Sequence, residues 1–132
     1  MAINVLIVDD SAVMRAMIIK TMRMSGLPLG EIHQAANGRE GLAAFKEHWI
    51  DLVTMDINMP IMNGEEMLES MQQDPDLRDT PTIVISTEGS ETRIERLLCK
   101  SASFINKPFS PEIFRDTVKE LLGQGVIDGS TT

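Results

Sequence analysis

The chain has 132 residues, of which 42% are hydrophobic and 24% are charged, and its formal net charge is −8. This composition is typical of one soluble globular domain, and no apolar run is long enough to span a membrane. The acidic balance argues against nucleic acid as the main partner, because phosphate backbones are bound by clustered lysine and arginine, and it favours a divalent cation and a protein partner. The N-terminus lacks the regions of a signal peptide, so we expect a cytoplasmic protein.

Strand-like and helix-like segments alternate along the chain. The first half predicts a strand at 3–8, a helix at about 12–25, an edge strand at 31–36, a helix at about 39–48 and a strand at 51–56. The second half predicts a helix at about 65–73, a strand at 81–86, a helix at about 90–100, a short strand at 102–105 and a helix from Ser110-Pro111 to Gly123. We interpret 1–123 as one domain and 124–132 as a C-terminal tail.

Some side chains are predicted to serve packing or solvation rather than chemistry. The apolar residues of the first helix recur at three- and four-residue steps and predict one buried face, made by Val13, Met14, Met17, Ile18 and Met22. Trp49 is expected to pack beneath the start of the third strand. His33 and His48 lack the spacing of metal ligands and are interpreted as surface residues.

Chemically active residues follow the predicted strands. Alternating strands and helices with continuous apolar strands predict a parallel sheet covered on both faces, and right-handed crossovers make it an open three-layer sandwich. Ligands of such sheets bind beyond the carboxyl ends of the strands. Strands one, three, four and five end on Asp9, Asp10, Asp56, Ser86 and Lys107. We therefore expect three carboxylates, a hydroxyl and an ammonium on one edge.

The expected cluster has a distinct electrostatic character. Three crowded aspartates repel one another unless a hard cation lies between them, and Mg²⁺ suits oxygen ligands. A lysine and a hydroxyl at the rim would donate to phosphoryl oxygens, which favours phosphoryl transfer. Asp56 follows the central strand and is the candidate nucleophile, since carboxylates form aspartyl phosphates.

These motifs together resemble a known family, the receiver domain of two-component response regulators, over about residues 3–122. The resemblance rests on Asp9-Asp10, Asp56, Met59-Pro60-Ile61-Met62-Asn63-Gly64, Ser86 and Lys107-Pro108-Phe109. It implies a flavodoxin-like fold, a doubly wound five-stranded parallel sheet of strand order 2-1-3-4-5 with helices on both faces. It also implies a cis bond before Pro108.

The resemblance assigns a role to each residue of the expected cluster. Asp56 is implied to be the phosphoacceptor, phosphorylated by a histidine kinase. Asp10, Asp56 and the backbone carbonyl of Asn58 are implied to bind Mg²⁺, with Asp9 acting largely through water. Lys107 is implied to contact the phosphoryl group.

Further positions are implied to control switching and turnover. Ser86 corresponds to the switch hydroxyl and Phe104 to the aromatic switch position; together they would remodel the face made by the fourth and fifth predicted helices and the fifth strand. Thr87 stands where many receivers have alanine or glycine, and its side chain is expected to hinder access to the acyl phosphate. Asn58 and Glu88 instead match the pair found in rapidly turning-over chemotaxis receivers. The two influences oppose each other, and the sequence leaves the rate open.

The partners follow from the resemblance to stand-alone chemotaxis regulators of the CheY type. It implies a histidine kinase of the CheA type as donor, a downstream protein such as a flagellar switch component, and a monomer without an effector domain. We expect no enzyme activity beyond the chain's own phosphorylation and dephosphorylation. Phe104 lacks the hydroxyl of the tyrosine often found there, which leaves the flagellar partner open.

Three alternative functions are compatible with parts of the sequence. The receiver could serve as a phosphate sink or relay intermediate. A Mg²⁺-dependent phosphatase of the haloacid dehalogenase type also uses a strand-end aspartate, but it needs a second aspartate two residues later, where this chain has Asn58. A pseudo-receiver that is never phosphorylated is disfavoured by the intact acidic residues, serine and lysine.

Overall fold

A computed structural model describes residues 2–87, 95, 102–107 and 109–123. The strands are β1 (Ile3–Val8), β2 (Leu29–Ala35), β3 (Leu52–Met55), β4 (Thr82–Ser86) and β5 (Ala102–Asn106). The helices are α1 (Ala12–Met24), α2 (Gly38–Glu47), α3 (Gly64–Gln73) and α4 (Pro111–Leu122). The helix predicted at about 90–100, apart from Glu95, and the tail at 124–132 lie outside the described residues.

The five strands form one parallel sheet in the order β2-β1-β3-β4-β5. This order confirms the predicted flavodoxin-like, doubly wound sheet. All four residues of β3 are buried, as expected for a central strand covered on both faces. The edge strand β2 carries several half-buried and exposed residues, which explains its weaker apolar pattern in the sequence.

Two apolar cores lie on opposite faces of the sheet. On one face, Ile18 and Met22 of α1 and Phe114 and Val118 of α4 pack against alternate residues of the strands. On the other face, α3 contributes the buried residues Met67, Leu68 and Met71, and α2 contributes the partly buried Leu42 and Phe45. The two-residue period of the strands divides their side chains between these cores, which gives three layers.

Side-chain caps set where each described helix begins. Ser11, Asn37, Asn63 and Ser110 each accept a hydrogen bond from a backbone N–H in the first turn of the following helix. Such a cap stabilises a helix by about 1 kcal/mol, so these residues help to fix the loops that leave the strands. Within the part of the chain that the structure describes, none of the helices combines the length and apolarity needed to cross a bilayer.

Two packing predictions were wrong. Val13 and Met17 are 73% and 56% exposed, so the buried face of α1 is narrower than its apolar residues suggested. Only the residues of α1 that point at the sheet are buried, since positions 13 and 17 lie further round the helix toward solvent. Trp49 is 77% exposed, and its indole N–H donates to Asp51 Oδ1 at 2.9 Å instead of packing beneath β3.

Candidate functional site

Two neighbouring strands bring the acidic residues together. Val8 and Met55, the last residues of β1 and β3, are paired in register. The next residue on each strand is an aspartate, Asp9 or Asp56, so the two carboxylates emerge side by side. The backbone N–H of Asp56 donates to the carbonyl oxygen of Val8 at 2.9 Å and extends the pairing by one step. Asp10 follows Asp9 and is exposed at the rim.

Lys107 enters the same edge from β5. Ser86 and Asn106 are paired at the ends of β4 and β5, and the backbone N–H of Lys107 donates to the carbonyl oxygen of Ser86 at 3.0 Å. The Lys107 ammonium lies 2.9 Å from Asp9 Oδ2 and 3.2 Å from Asp56 Oδ2. Side-chain exposure is only 10% for Lys107, 3% for Asp9 and 14% for Asp56, so these charges interact with little screening by water.

The three carboxylates form a group that suits a hard cation. Asp9, Asp10 and Asp56 each offer one oxygen, and these oxygens lie within 4.8 Å of one another. Oxygens bound to one Mg²⁺ at about 2.1 Å lie within about 4.2 Å of one another, so small side-chain movements bring the group into coordination range. Lys107 offsets one of the three negative charges, which leaves room for a divalent ion. The residues present therefore fit Mg²⁺.

Hydrogen bonds hold both buried carboxylates in place. Asp9 Oδ1 accepts from the backbone N–H of Ser11 at 2.9 Å, while its Oδ2 faces Lys107. Asp56 Oδ1 accepts from the backbone N–H of Ile57 at 2.7 Å, while its Oδ2 also faces Lys107. Each carboxylate is thus bound at both oxygens, which orients it before any ligand arrives.

Arg15 supports the site in a way that the sequence analysis missed. Its Nη1 donates to the carbonyl oxygen of Asp9 at 2.6 Å, and its Nε donates to Gln34 Oε1 at 2.9 Å. The guanidinium therefore connects α1, the end of β1 and the edge strand β2. In the sequence, the only sign of this role is that Arg15 lies in the first turn of α1, close to the paired aspartates. Its contact with Gln34 could not be predicted from that position, because the contact depends on β2 lying beside β1.

The loop after β3 packs tightly beneath Asp56. The backbone N–H of Gly64 donates to the carbonyl oxygen of Ile57 at 2.8 Å, and a side chain at Gly64 would meet the carbonyl oxygen of Asp56. Asn63 and Glu66 form a reciprocal capping box that starts α3 at this point. Glycine is therefore required by the close approach of two backbone segments.

The two predicted switch residues lie on one face of neighbouring strands. Phe104 is paired with Val84, two residues before Ser86 on β4, so Phe104 and Ser86 are diagonal neighbours on the same side of the sheet. Ser86 is buried at the end of its strand, and Phe104 is half-buried against the core on the α2 and α3 face.

The remaining predicted site residues are only partly covered by the structure. Asn58 is exposed in the loop after β3, two residues beyond Asp56. Thr87 is exposed immediately after β4. Glu88 and Pro108, with its expected cis bond, lie outside the described residues.

An apolar groove of about 270 Å³ has Lys107 among its lining residues. It lies between α1 and the segments that follow β4 and β5, and its lining residues are Met14, Met17, Ile18, Thr21, Thr87, Lys107 and Phe109. The exposed side chain of Val13 lies one turn from Met17 on the same helix. The groove was not predicted, because Val13 and Met17 were expected on the apolar face by which α1 packs.

Residues 5–119 match the family model described as the response regulator receiver domain. The chain belongs to this family. The match covers both halves of the sheet and all of the acidic residues described above. The receiver is of the CheY type, consistent with two-component signalling.

Relatives of this receiver are named chemotaxis proteins. It is 41% identical over 110 residues to the chemotaxis protein CheY of Thermotoga maritima, with 82% of this chain and 88% of that protein covered. It is 30% identical over 129 residues to a chemotaxis protein CheY homolog of Campylobacter jejuni, with 96% and 98% covered. A solved structure, the CheX-CheY-BeF3-Mg+2 complex from Borrelia burgdorferi, matches at a TM-score of 0.79 and 33% identity, covering 91% of this chain and 89% of that chain.

Proposed function

We propose that this receiver is the phosphorylation-activated response regulator of a chemotaxis-like two-component system, with Asp56 as phosphoacceptor. The observation that carries the proposal is the contact of one buried ammonium, that of Lys107, with the carboxylates of both Asp9 and Asp56 at the strand ends. This arrangement combines a nucleophile with an ammonium that can bind the negatively charged oxygens of an added phosphoryl group.

The proposed reaction is the transfer of a phosphoryl group from a phosphohistidine of the kinase. An oxygen of Asp56 forms a bond to phosphorus, and the bond from phosphorus to the imidazole nitrogen breaks, leaving its electron pair on the histidine. Lys107 donates to the arriving phosphoryl oxygens, while the N–H of Ile57 keeps the carboxylate oriented. Mg²⁺, held by Asp10, Asp56 and the carbonyl of Asn58, would supply positive charge that offsets both the carboxylates and the phosphoryl oxygens.

Phosphorylation is proposed to reorient Ser86 and Phe104 together and so to alter a protein-binding surface. Their diagonal placement on one face of β4 and β5 supports a coupled movement of the two side chains. The surface altered is the one made by the predicted helix at 90–100, β5 and α4. Its partner is proposed to be a downstream protein such as a flagellar switch component, in keeping with the names of the chemotaxis relatives.

The phosphodonor is proposed to approach across the exposed end of α1. Val13 and Met17 are large apolar residues exposed to solvent, and Met17 lines the groove that ends at Lys107. Apolar side chains in this position offer binding area to a protein domain near Lys107, whose ammonium contacts Asp56. The kinase is proposed to be of the CheA type.

The chain is proposed to catalyse only its own phosphorylation and dephosphorylation. A phosphatase of the haloacid dehalogenase type would need an aspartate two residues after the nucleophile, where the exposed Asn58 stands. Thr87 is exposed and lines the groove with Lys107, so it lies where it narrows the approach of water or donor to the site.

Intact-mass spectrometry with acetyl phosphate and Mg²⁺ tests the assignment of Asp56. Wild-type protein is expected to gain one phosphoryl group, and Asp56→Asn to gain none. Asp51→Asn is the matched control, since Asp51 is a partly buried aspartate directly before β3, whereas Asp56 directly follows it. Labelling of Asp56→Asn to the level of Asp51→Asn would refute the nucleophile. Rapid loss of the label to a second histidine protein, without a change in the binding face, would indicate a relay or phosphate sink instead.

A further inference from the structure

The two histidines of this chain, fifteen residues apart in sequence, are stacked against each other. The ring centroids of His33 and His48 are 3.7 Å apart, and the ring planes differ by 17°. His33 lies on the edge strand β2, and His48 directly follows α2. The Oε1 atom of Glu31 lies 3.0 Å from Nε2 of His33. Three residues with metal-binding side chains therefore meet beside the edge strand, away from the acidic site.

The backbone explains why these three side chains converge. Glu31 and His33 are two residues apart on one strand, so their side chains lie on the same face of the sheet. Helix α2 packs on that face. It ends at His48, whose backbone N–H donates to the carbonyl oxygen of Ala44 at 3.0 Å. One ligand atom from each of Glu31, His33 and His48 lies within 4.8 Å of the other two.

We propose that Glu31, His33 and His48 bind a transition-metal ion of the zinc class. Two imidazole nitrogens and one carboxylate oxygen are a common ligand set for zinc, with a fourth position left to water. Zinc ligands at about 2.0–2.2 Å from the ion lie roughly 3.4 Å apart in a tetrahedral site, so atoms that are up to 4.8 Å apart must move closer by at most about 1.4 Å. Side-chain exposures of 70% for Glu31 and 38% for His48 leave both free to make that movement.

Metal binding requires one imidazole ring to turn. The lone pair of an imidazole nitrogen lies in the ring plane, so two stacked rings cannot both point at one ion. His48 is the ring that turns, since its side chain is 38% exposed against 19% for His33. Loss of the stacked arrangement is thus a specific expectation of the proposal.

The ligand set and local charge distinguish this ion from Mg²⁺. Imidazole favours zinc, nickel and copper, whereas Mg²⁺ prefers oxygen alone. Glu47 adds a further negative charge, with Oε2 3.9 Å from Nε2 of His48. The ion would connect the edge strand β2 to the end of α2, and β1 lies between β2 and the strand that Asp56 follows.

Zinc titration of untagged protein in saturating Mg²⁺ tests the site. Because the chain has only two histidines, the imidazole resonances in a ¹H–¹⁵N NMR spectrum report on this cluster alone. We expect both imidazoles to shift with one Zn²⁺ per chain, and calorimetry to show binding at least about tenfold weaker in His48→Gln and Glu31→Gln. Asp10→Asn is the matched control for the acidic group and should bind Zn²⁺ as wild type does.

Two results would overturn the proposal. In the first, the imidazole resonances stay unchanged at one equivalent of Zn²⁺. This would show that the stacked histidines do not bind the ion. The other is a Zn²⁺ affinity that His48→Gln leaves intact and Asp10→Asn weakens, which would place the ion among the aspartates. Labelling of His48→Gln by acetyl phosphate shows that the variant is folded, so a loss of Zn²⁺ binding cannot be ascribed to unfolding.

Discussion

The ammonium of Lys107 lies 2.9 Å from a carboxylate oxygen of Asp9, although ninety-eight residues separate them in the chain. Both side chains are almost fully buried. The same ammonium also contacts Asp56, so one cation offsets two neighbouring anions. The contact links the first and last strands of the chain at the edge where the reaction is proposed to take place.

Replacing Lys107 is predicted to destabilise the receiver most when no divalent ion is present. Lys107→Met leaves two buried carboxylates without their cation, which is expected to lower the free energy of unfolding by about 3 kcal/mol. Saturating Mg²⁺ should restore part of this loss by binding the same carboxylates. Urea unfolding with and without Mg²⁺ measures both effects.

Lys46→Met is the control for this prediction, because Lys46 is an exposed lysine in the last turn of α2. Its unfolding midpoint should stay close to that of wild type. Equal midpoints for the two variants would show that the buried contact of Lys107 does not stabilise the fold.

Substitution of Met17 is predicted to impair the kinase reaction selectively. Met17→Gln removes an apolar contact beside the groove, so kcat/KM with a CheA-type kinase should fall about fivefold, a loss of about 1 kcal/mol. The rate with acetyl phosphate should not change, since this small donor needs no docking surface. Met24→Gln is the control at the far end of α1, where Met24 is 65% exposed. A similar fall for Met24→Gln would contradict the docking position.

The hydroxyl of Thr54 is predicted to lower the free energy of unfolding. Thr54 is buried in β3, and its Oγ1 has no hydrogen-bond partner among the described residues. Thr54→Val should therefore raise the free energy of unfolding by about 1 kcal/mol in urea titrations. Thr82→Val should lower it by a similar amount, because the equally buried Thr82 donates to the carbonyl oxygen of Thr80 at 3.1 Å. Changes of the same sign in both variants would argue against this explanation.

A methyl group at Gly64 is predicted to disturb the acidic site. Gly64→Ala pushes against the backbone carbonyl of Asp56, which is expected to lower the free energy of unfolding by about 3 kcal/mol and to slow labelling by acetyl phosphate. Gly30→Ala is the matched control, because the nearest atom it meets is the side-chain oxygen of Asn4, which can rotate away with the loss of its hydrogen bond from the backbone N–H of Glu31. Gly30→Ala should cost no more than about 1 kcal/mol and leave labelling unchanged. Comparable loss of labelling in both variants would count against a special role for the loop.

Local sequence signals predicted most of the fold. Strand boundaries and the helix start at Ser110-Pro111 depend on residues close to one another in the chain, and the described elements begin within about two residues of the predicted positions. Asp56 follows an apolar run, and the geometry of a parallel sheet then predicted that it lies at the carboxyl edge of the sheet. The strand order agrees with that implied by the resemblance to receivers.

The errors arose where the outcome depends on tertiary contacts. Apolar periodicity cannot show how much of a helix surface the sheet covers, so Met17 was assigned to the core although it is exposed. Trp49 is exposed, and its indole N–H donates to the side chain of Asp51, a contact that apolar patterning does not predict. His33 and His48 were interpreted separately, and only the packing of α2 against β2 brings their rings together.

Chemical mapping of the phosphorylated residue tests the central proposal most directly. Protein treated with acetyl phosphate and Mg²⁺ is reduced with borohydride, which converts an acyl phosphate into an alcohol, and is then digested for mass spectrometry. We predict homoserine at position 56 and unmodified aspartate at Asp9 and Asp10. Homoserine at Asp9 or Asp10, with Asp56 intact, would contradict the account.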